Sequence, residues 1–88
     1  MPTWTLTLAA NLARLREQDA IPDLPSAELR DWLEADLRAE FPNYPIVHIA
    51  GRVRDRNSLE LRMMISGPFR PKIESRYFDV VKIAGSNG

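Results

Sequence analysis

Eighty-eight residues without a cysteine, with twelve basic side chains balanced by twelve acidic ones and 44% hydrophobic residues, leave room for one domain around one core. This composition excludes a disulfide scaffold and thiolate chemistry, argues against disorder, and contains no run near the roughly 20 apolar residues that cross a bilayer. The opening Met1-Pro2-Thr3-Trp4 has no basic region before an apolar stretch, so the simplest expected placement is cytoplasmic, without a membrane partner.

The zero net charge conceals two opposite halves. Residues 1–42 hold four basic and eight acidic side chains, a net of −4, and residues 43–88 hold eight basic and four acidic, a net of +4. Such halves can neutralise each other within the fold, across a homo-oligomer, or against a partner.

In chain order, Trp4, Leu6 and Leu8 alternate with Thr3, Thr5 and Thr7, a period of two in β-favouring residues that predicts a short strand over 3–8. The rival reading makes Thr5 or Thr7 a helix N-cap. Leu8, Leu12 and Leu15 then follow helical spacing to about Gln18. Two prolines in Asp19-Ala-Ile-Pro-Asp-Leu-Pro25 force a loop, anchored by Ile21 and Leu24. The next helix is predicted over 27–41, with Ser26 as N-cap and Glu34–Arg38 as an i, i+4 pair. Its apolar stripe is Leu29, Trp32, Leu33, Leu37 and Phe41, and Pro42 ends it. The segment Phe41-Pro42-Asn43-Tyr44-Pro45 reads as a rigid connection that could display Tyr44.

From residue 46 the period becomes two. Val47, Ile49 and Val53 point one way and His48, Ala50, Arg52 and Arg54 the other; after Asp55-Arg56-Asn57, Leu59, Leu61, Met63 and Ile65 alternate with Glu60, Arg62, Met64 and Ser66. For both apolar sets to share a face the hairpin loop must hold an odd number of residues. Three fits, with Asn57 left-handed, and it pairs Val53 with Leu59, Gly51 with Leu61, Ile49 with Met63 and Val47 with Ile65. Arg52 then stands across from Glu60, and Ala50 from Arg62. Gly51 reads as a close-packing or bulge position. A last strand is predicted over about 74–83, apolar on both faces, followed by a flexible tail at 85–88.

The expected fold is one α+β domain over residues 1–84. Two helices cover one face of a three- or four-stranded antiparallel sheet, in the order strand, two helices, three strands, with the helix stripe on Val47, Ile49, Leu61 and Met63. Trp32 is expected in the core; Trp4 is expected there too, with an exposed anchor for a partner as the alternative.

Little here carries catalysis. One histidine, no cysteine and no clustered carboxylates give no metal-ligand set, the four glycines are isolated, and no cofactor is expected. The polar constellation is the wet side of the hairpin: His48, Arg52, Arg54, Glu60 and Arg62, joined by Arg76 or Lys82. As a solvated face it does nothing further. As a docking face, His48, Arg52, Arg54, Arg62 and Arg76 would meet a partner, an acidic protein first and a nucleic acid second. A sequence pI near 6.6 and the absence of a stacking-aromatic motif weigh against nucleic acid. A third reading is a small ribonuclease working through His48 and Glu60. The expectation is therefore a non-enzymatic interaction module, an adaptor, inhibitor or assembly subunit, that can also form a homo-oligomer through the last strand or a free sheet edge.

Overall fold

The computed structural model describes residues 2–86. The opening alternation runs further than the pattern predicts, and β1 spans Thr3–Asn11. Alanine favours helix in isolation, but Ala9 and Ala10 pair with Glu60 and Leu59, and Ala10 is buried. Tertiary pairing overrides the weak local preference. The first helix, α1, is consequently only six residues, Leu12–Glu17. Its N-cap is Asn11, whose Oδ1 accepts the Arg14 N–H at 3.1 Å, so neither Thr5 nor Thr7 caps it. Leu8 belongs to the strand and Leu12 and Leu15 to the helix. Their helix-like spacing straddles a junction.

α2 spans Ser26–Glu40 and buries Leu29, Leu33 and Leu37, with Trp32 and Phe41 half-buried beside them. Ser26 does not cap it. The cap position is Pro25, which has no side-chain hydrogen bond to give, and the Pro25 carbonyl accepts the Leu29 N–H at 2.8 Å. Glu34 turns from Arg38 toward the sheet, where its Oε1 accepts the Gly51 N–H at 2.6 Å.

β2 spans Ile46–Asp55 and β3 spans Ser58–Ser66. The hairpin keeps the predicted register at Val53–Leu59, Arg52–Glu60, Gly51–Leu61, Ala50–Arg62 and Ile49–Met63. Its two ends differ. Asp55 pairs with Ser58, so the loop shrinks to Arg56 and Asn57 and the odd residue that parity demands is absorbed as a bulge at Arg54. Asn57 is not left-handed; the Asp55 Oδ1 accepts its N–H at 2.7 Å instead. At the other end a second bulge pairs Ile46 with Ile65 and His48 with Met64. Val47, expected in the core, is the extra residue and stands 63% exposed. Ile46 fills the position opposite Ile65.

β4 spans Asp79–Ser86, later than the predicted 74–83. Ser75 delays it: its Oγ accepts the N–H groups of Tyr77 and Phe78 at 3.4 and 3.3 Å, a local turn that competes with strand pairing. Gly85 and Ser86 belong to the strand and not to a tail, and residues 87 and 88 lie outside the described residues.

The sheet order is β2-β3-β1-β4, with every neighbouring pair antiparallel. It follows that β1 and β2 run parallel with β3 between them, and β3 and β4 run parallel with β1 between them. These are the order and directions of a split β-α-β arrangement. The first crossover is α1 and α2; the second, residues 67–78, is irregular where such arrangements carry a helix. Gly67-Pro68 and Pro71 forbid a helix there. The segment still completes the layer, because Ile73 and Phe78 are buried in the same cluster as Leu29, Leu33 and Leu37. Polar contacts staple it to α2. Arg76 Nη2 lies 3.2 Å from Asp36 Oδ1, the Arg76 N–H donates to Glu40 Oε1 at 3.0 Å, and Ser75 Oγ donates to Glu40 Oε2 at 3.4 Å.

The fold is thus a two-layer α+β domain, with helices and crossover on one face of a four-stranded antiparallel sheet. Leu6, Leu8, Leu59, Leu61 and Met63 are all but inaccessible to solvent between them. No helix among the described residues is long and apolar enough to cross a membrane.

Candidate docking face on the open side of the sheet

Alternation sends every second side chain of each strand away from the helices. The pairings arrange these outward side chains in three rows across four strands. His48, Met64, Thr5 and Ala84 form the first, Ala50, Arg62, Thr7 and Lys82 the second, and Arg52, Glu60, Ala9 and Asp79 the third. Neither helix nor crossover lies over them, because the buried leucines of α2 occupy the other side. The β1 row of this face, Thr5, Thr7 and Ala9, is small and uncharged, and the charges stand on β2, β3 and β4.

Its electrostatics are lopsided. Glu60, the acid in the middle, is neutralised by Arg54, whose Nη1 lies 2.7 Å from Glu60 Oε2. The ion pair therefore forms with the diagonal neighbour and not with Arg52 directly opposite, within the reach expected of long side chains at a bulge that tightens the local twist. Asp79 approaches Arg14 Nη2 at 4.0 Å at the sheet's end. Arg52, Arg62 and Lys82 have no ion pair or side-chain hydrogen bond among the described residues. In the second row Arg62 and Lys82 flank Thr7, two strand spacings or about 10 Å apart. A depression of about 230 Å³ is lined by Ala50, Gly51, Arg52, Glu60 and Arg62.

Of the five predicted site residues, His48, Arg52, Arg54 and Arg62 share this face, with Arg54 already engaged. Arg76 does not. It lies on the helix side, held by Asp36 and stacked 5.5 Å over the Tyr77 ring, because the crossover returns along α2 before β4 begins. Lys82, the alternative to it, is the residue that joins the face. The missing part of the sequence reading is the threonine row: Thr3, Thr5 and Thr7 showed the right alternation, but nothing in it revealed that β1 lies at the middle of the sheet. Tyr44 is not displayed, since it is half-buried with its hydroxyl donating to the Lys72 carbonyl at 2.9 Å. Trp4 is half-buried, its Nε1 donating to the Gly67 carbonyl at 3.0 Å.

The geometry offers little to acid–base chemistry. His48 and Glu60 are offset by four residues, about 13 Å of strand, and Glu60 is spent on Arg54. A wider groove of about 490 Å³ at the far end of the sheet brings Asp55 and Asp79 near Arg56, Asn57 and Asn11. There the backbone N–H of Asn57 and the Ser58 hydroxyl hold the Asp55 carboxyl below its ordinary range. This is a turn built on an acceptor. Among the described residues no three His, Cys, Asp or Glu side chains converge as a metal site would require. No protein-family model, no curated protein and no solved structure matches this chain.

Proposed function

We propose that the chain is a non-enzymatic interaction module whose open sheet face docks an acidic protein surface. The observation that carries this reading is the set of three cations, Arg52, Arg62 and Lys82, left without ionic partners on the two sides of the uncharged β1 row Thr5, Thr7 and Ala9, with Met64 next to Arg62 along β3. Arg14, Arg30, Arg54 and Arg76 each meet a carboxylate. Arg38, Arg56, Arg70 and Lys72 have no ion pair among the described residues either, but they are scattered over α2, the hairpin loop and the crossover and do not share one sheet face. Arginine forks can take partner carboxylates two oxygens at a time, and the threonines and Met64 supply a flat contact between them. A nucleic-acid backbone fits less well. The rings of Trp4, Trp32, Phe41, Tyr44, Tyr77 and Phe78 belong to the core side or its margins. The one exposed ring among the described residues, Phe69, stands on the crossover and not on a strand of this face, and the overall charge is zero.

The test compares the native chain with the triple variant Arg52→Ser, Arg62→Ser, Lys82→Ser. A labelled polyglutamate peptide should bind the native chain at about 50 mM salt, and the triple variant should bind about 3- to 150-fold more weakly, from roughly 0.2–1 kcal/mol for each of three exposed pairs. Equal binding by both removes this face from consideration. Retardation of RNA or DNA under the same conditions, with no binding of the peptide, transfers the face to nucleic acid.

A further inference from the structure

The two edges of the sheet are not equivalent, and the difference starts at Gly51. Its N–H leaves the sheet for Glu34, so the Gly51–Leu61 pair is a non-hydrogen-bonded one. Alternation carries this across the ladder. Leu61 must bond to Leu8; Thr3, Thr5 and Thr7 must bond toward β4; and Ile83 and Gly85, opposite Leu6 and Trp4, must turn their N–H and C=O groups outward. No loop or side chain among the described residues reaches those groups. The β2 edge, by contrast, is partly blocked. Glu34 takes its Gly51 N–H, and bulges at Val47 and Arg54 bend both ends, devices that keep an edge from templating another strand. β4 has one bulge, at Val81, and beyond it pairs without interruption from Lys82 to Ser86.

From this we infer that β4 pairs with β4 of a second copy, antiparallel about a two-fold axis through Ile83, joining two sheets into one of eight strands. The strand is self-complementary in that register. Ile83 meets Ile83, and Lys82 falls opposite Ala84, so no like charges confront each other. Val81, which is 65% exposed, comes opposite Gly85. That glycine is bare over an indole, since a Cβ there would stand 2.9 Å from the Trp4 ring. In that register the bulged Val81 lies opposite the one position on the strand with no side chain, where the chain has room for it, and the uninterrupted stretch Lys82–Ala84 forms the centre of the pairing. A zero net charge leaves no overall repulsion between copies. Dimerisation through the open face would instead set Arg52, Arg62 and Lys82 against their like. The pairing leaves that face free and doubles it in one plane.

Light scattering and sedimentation equilibrium on the purified chain, from about 10 µM to 1 mM, provide the test, with Ala84→Glu and Ala84→Lys beside the native protein. Ala84 is exposed, so both variants should fold and melt like the native chain. The native mass should rise from 10.1 kDa toward twice that value with concentration. Ala84→Glu places an acid opposite Lys82 twice per dimer and should tighten it by roughly 2- to 30-fold, while Ala84→Lys should weaken it by a similar factor. A native mass fixed at 10.1 kDa up to 1 mM overturns the inference. So does a dimer that both substitutions leave unchanged or shift in the same direction.

Discussion

Gly51 and Glu34 show how much one contact can specify. A Cβ on Gly51 would stand 2.7 Å from Arg30 Cγ and 2.9 Å from Glu34 Oε1, and the Arg30 atom belongs to the stem of its side chain and cannot simply swing away. Gly51→Ala should gain about 0.5–1 kcal/mol from lower strand entropy and lose more through crowding and the broken 2.6 Å bond to Glu34. The expected net change in denaturant unfolding is a loss of about 1 kcal/mol. Glu34→Ala leaves the Gly51 N–H to water and should cost about as much. Because one contact is counted in both, the double variant should lose clearly less than the two singles together; strict additivity would show that the helix and the edge do not communicate through this bond. The sequence marked Gly51 as a packing or bulge position but could not say against what. Glu34 is a surface residue by every local rule, and its partner is set only when α2 lies across β2. The same holds for Glu60, whose opposite residue was legible from parity while its actual ion-pair partner, Arg54, depends on the bulge.

Elements were legible in proportion to their periodicity. The hairpin register followed from parity alone, and it failed only at Val47 and Asp55, where bulges add a residue that no alternation announces. α2 was legible from Leu29, Leu33 and Leu37, but its cap was not, because Ser26 and Pro25 are adjacent and both suit a helix start. The structure makes a sharp distinction between them. Ser26→Ala should change stability by less than about 0.5 kcal/mol, since the side chain caps nothing. Leu33→Ala, at a position with no solvent exposure, should cost about 2–5 kcal/mol. Urea unfolding measures both, and a loss above about 1 kcal/mol for Ser26→Ala would restore the serine cap. The second crossover was the least legible part. Burial alternates from Pro71 to Tyr77 without the segment pairing as a strand, Phe78 breaks the alternation, and the segment's order comes from Glu40 and Asp36 on another element. That is also why Arg76 was misplaced: its side chain follows α2, and only tertiary contacts reveal it.

At the scale of the molecule, the −4 and +4 halves of the chain are partly reconciled inside the fold and partly sorted by layer. Arg76–Asp36 and Arg14–Asp79 join the halves, while the open face keeps three cations unopposed. Each of the four ion pairs has at least one exposed partner, although the Glu60 and Asp36 carboxylates are half-buried, so each should contribute on the order of 1 kcal/mol or less and be weakened by salt. Buried leucines carry the stability, and burial of apolar surface does not fade as salt screens charge. Charge should therefore matter little for folding and greatly for docking. Raising salt from about 50 to 500 mM should move the thermal midpoint by no more than about 4–8 °C, equivalent to about 1 kcal/mol, while affinity for an acidic partner falls at least about tenfold as the Debye length shrinks below 5 Å. Calorimetry and binding titrations on the same samples make the comparison. If both quantities fell in parallel, the arginines would be structural and the open face would be only a wet surface. If neither fell, the contact with a partner would have to be apolar, and the exposed Val47, Phe69 and Val81 would take the place of the cations as its centre.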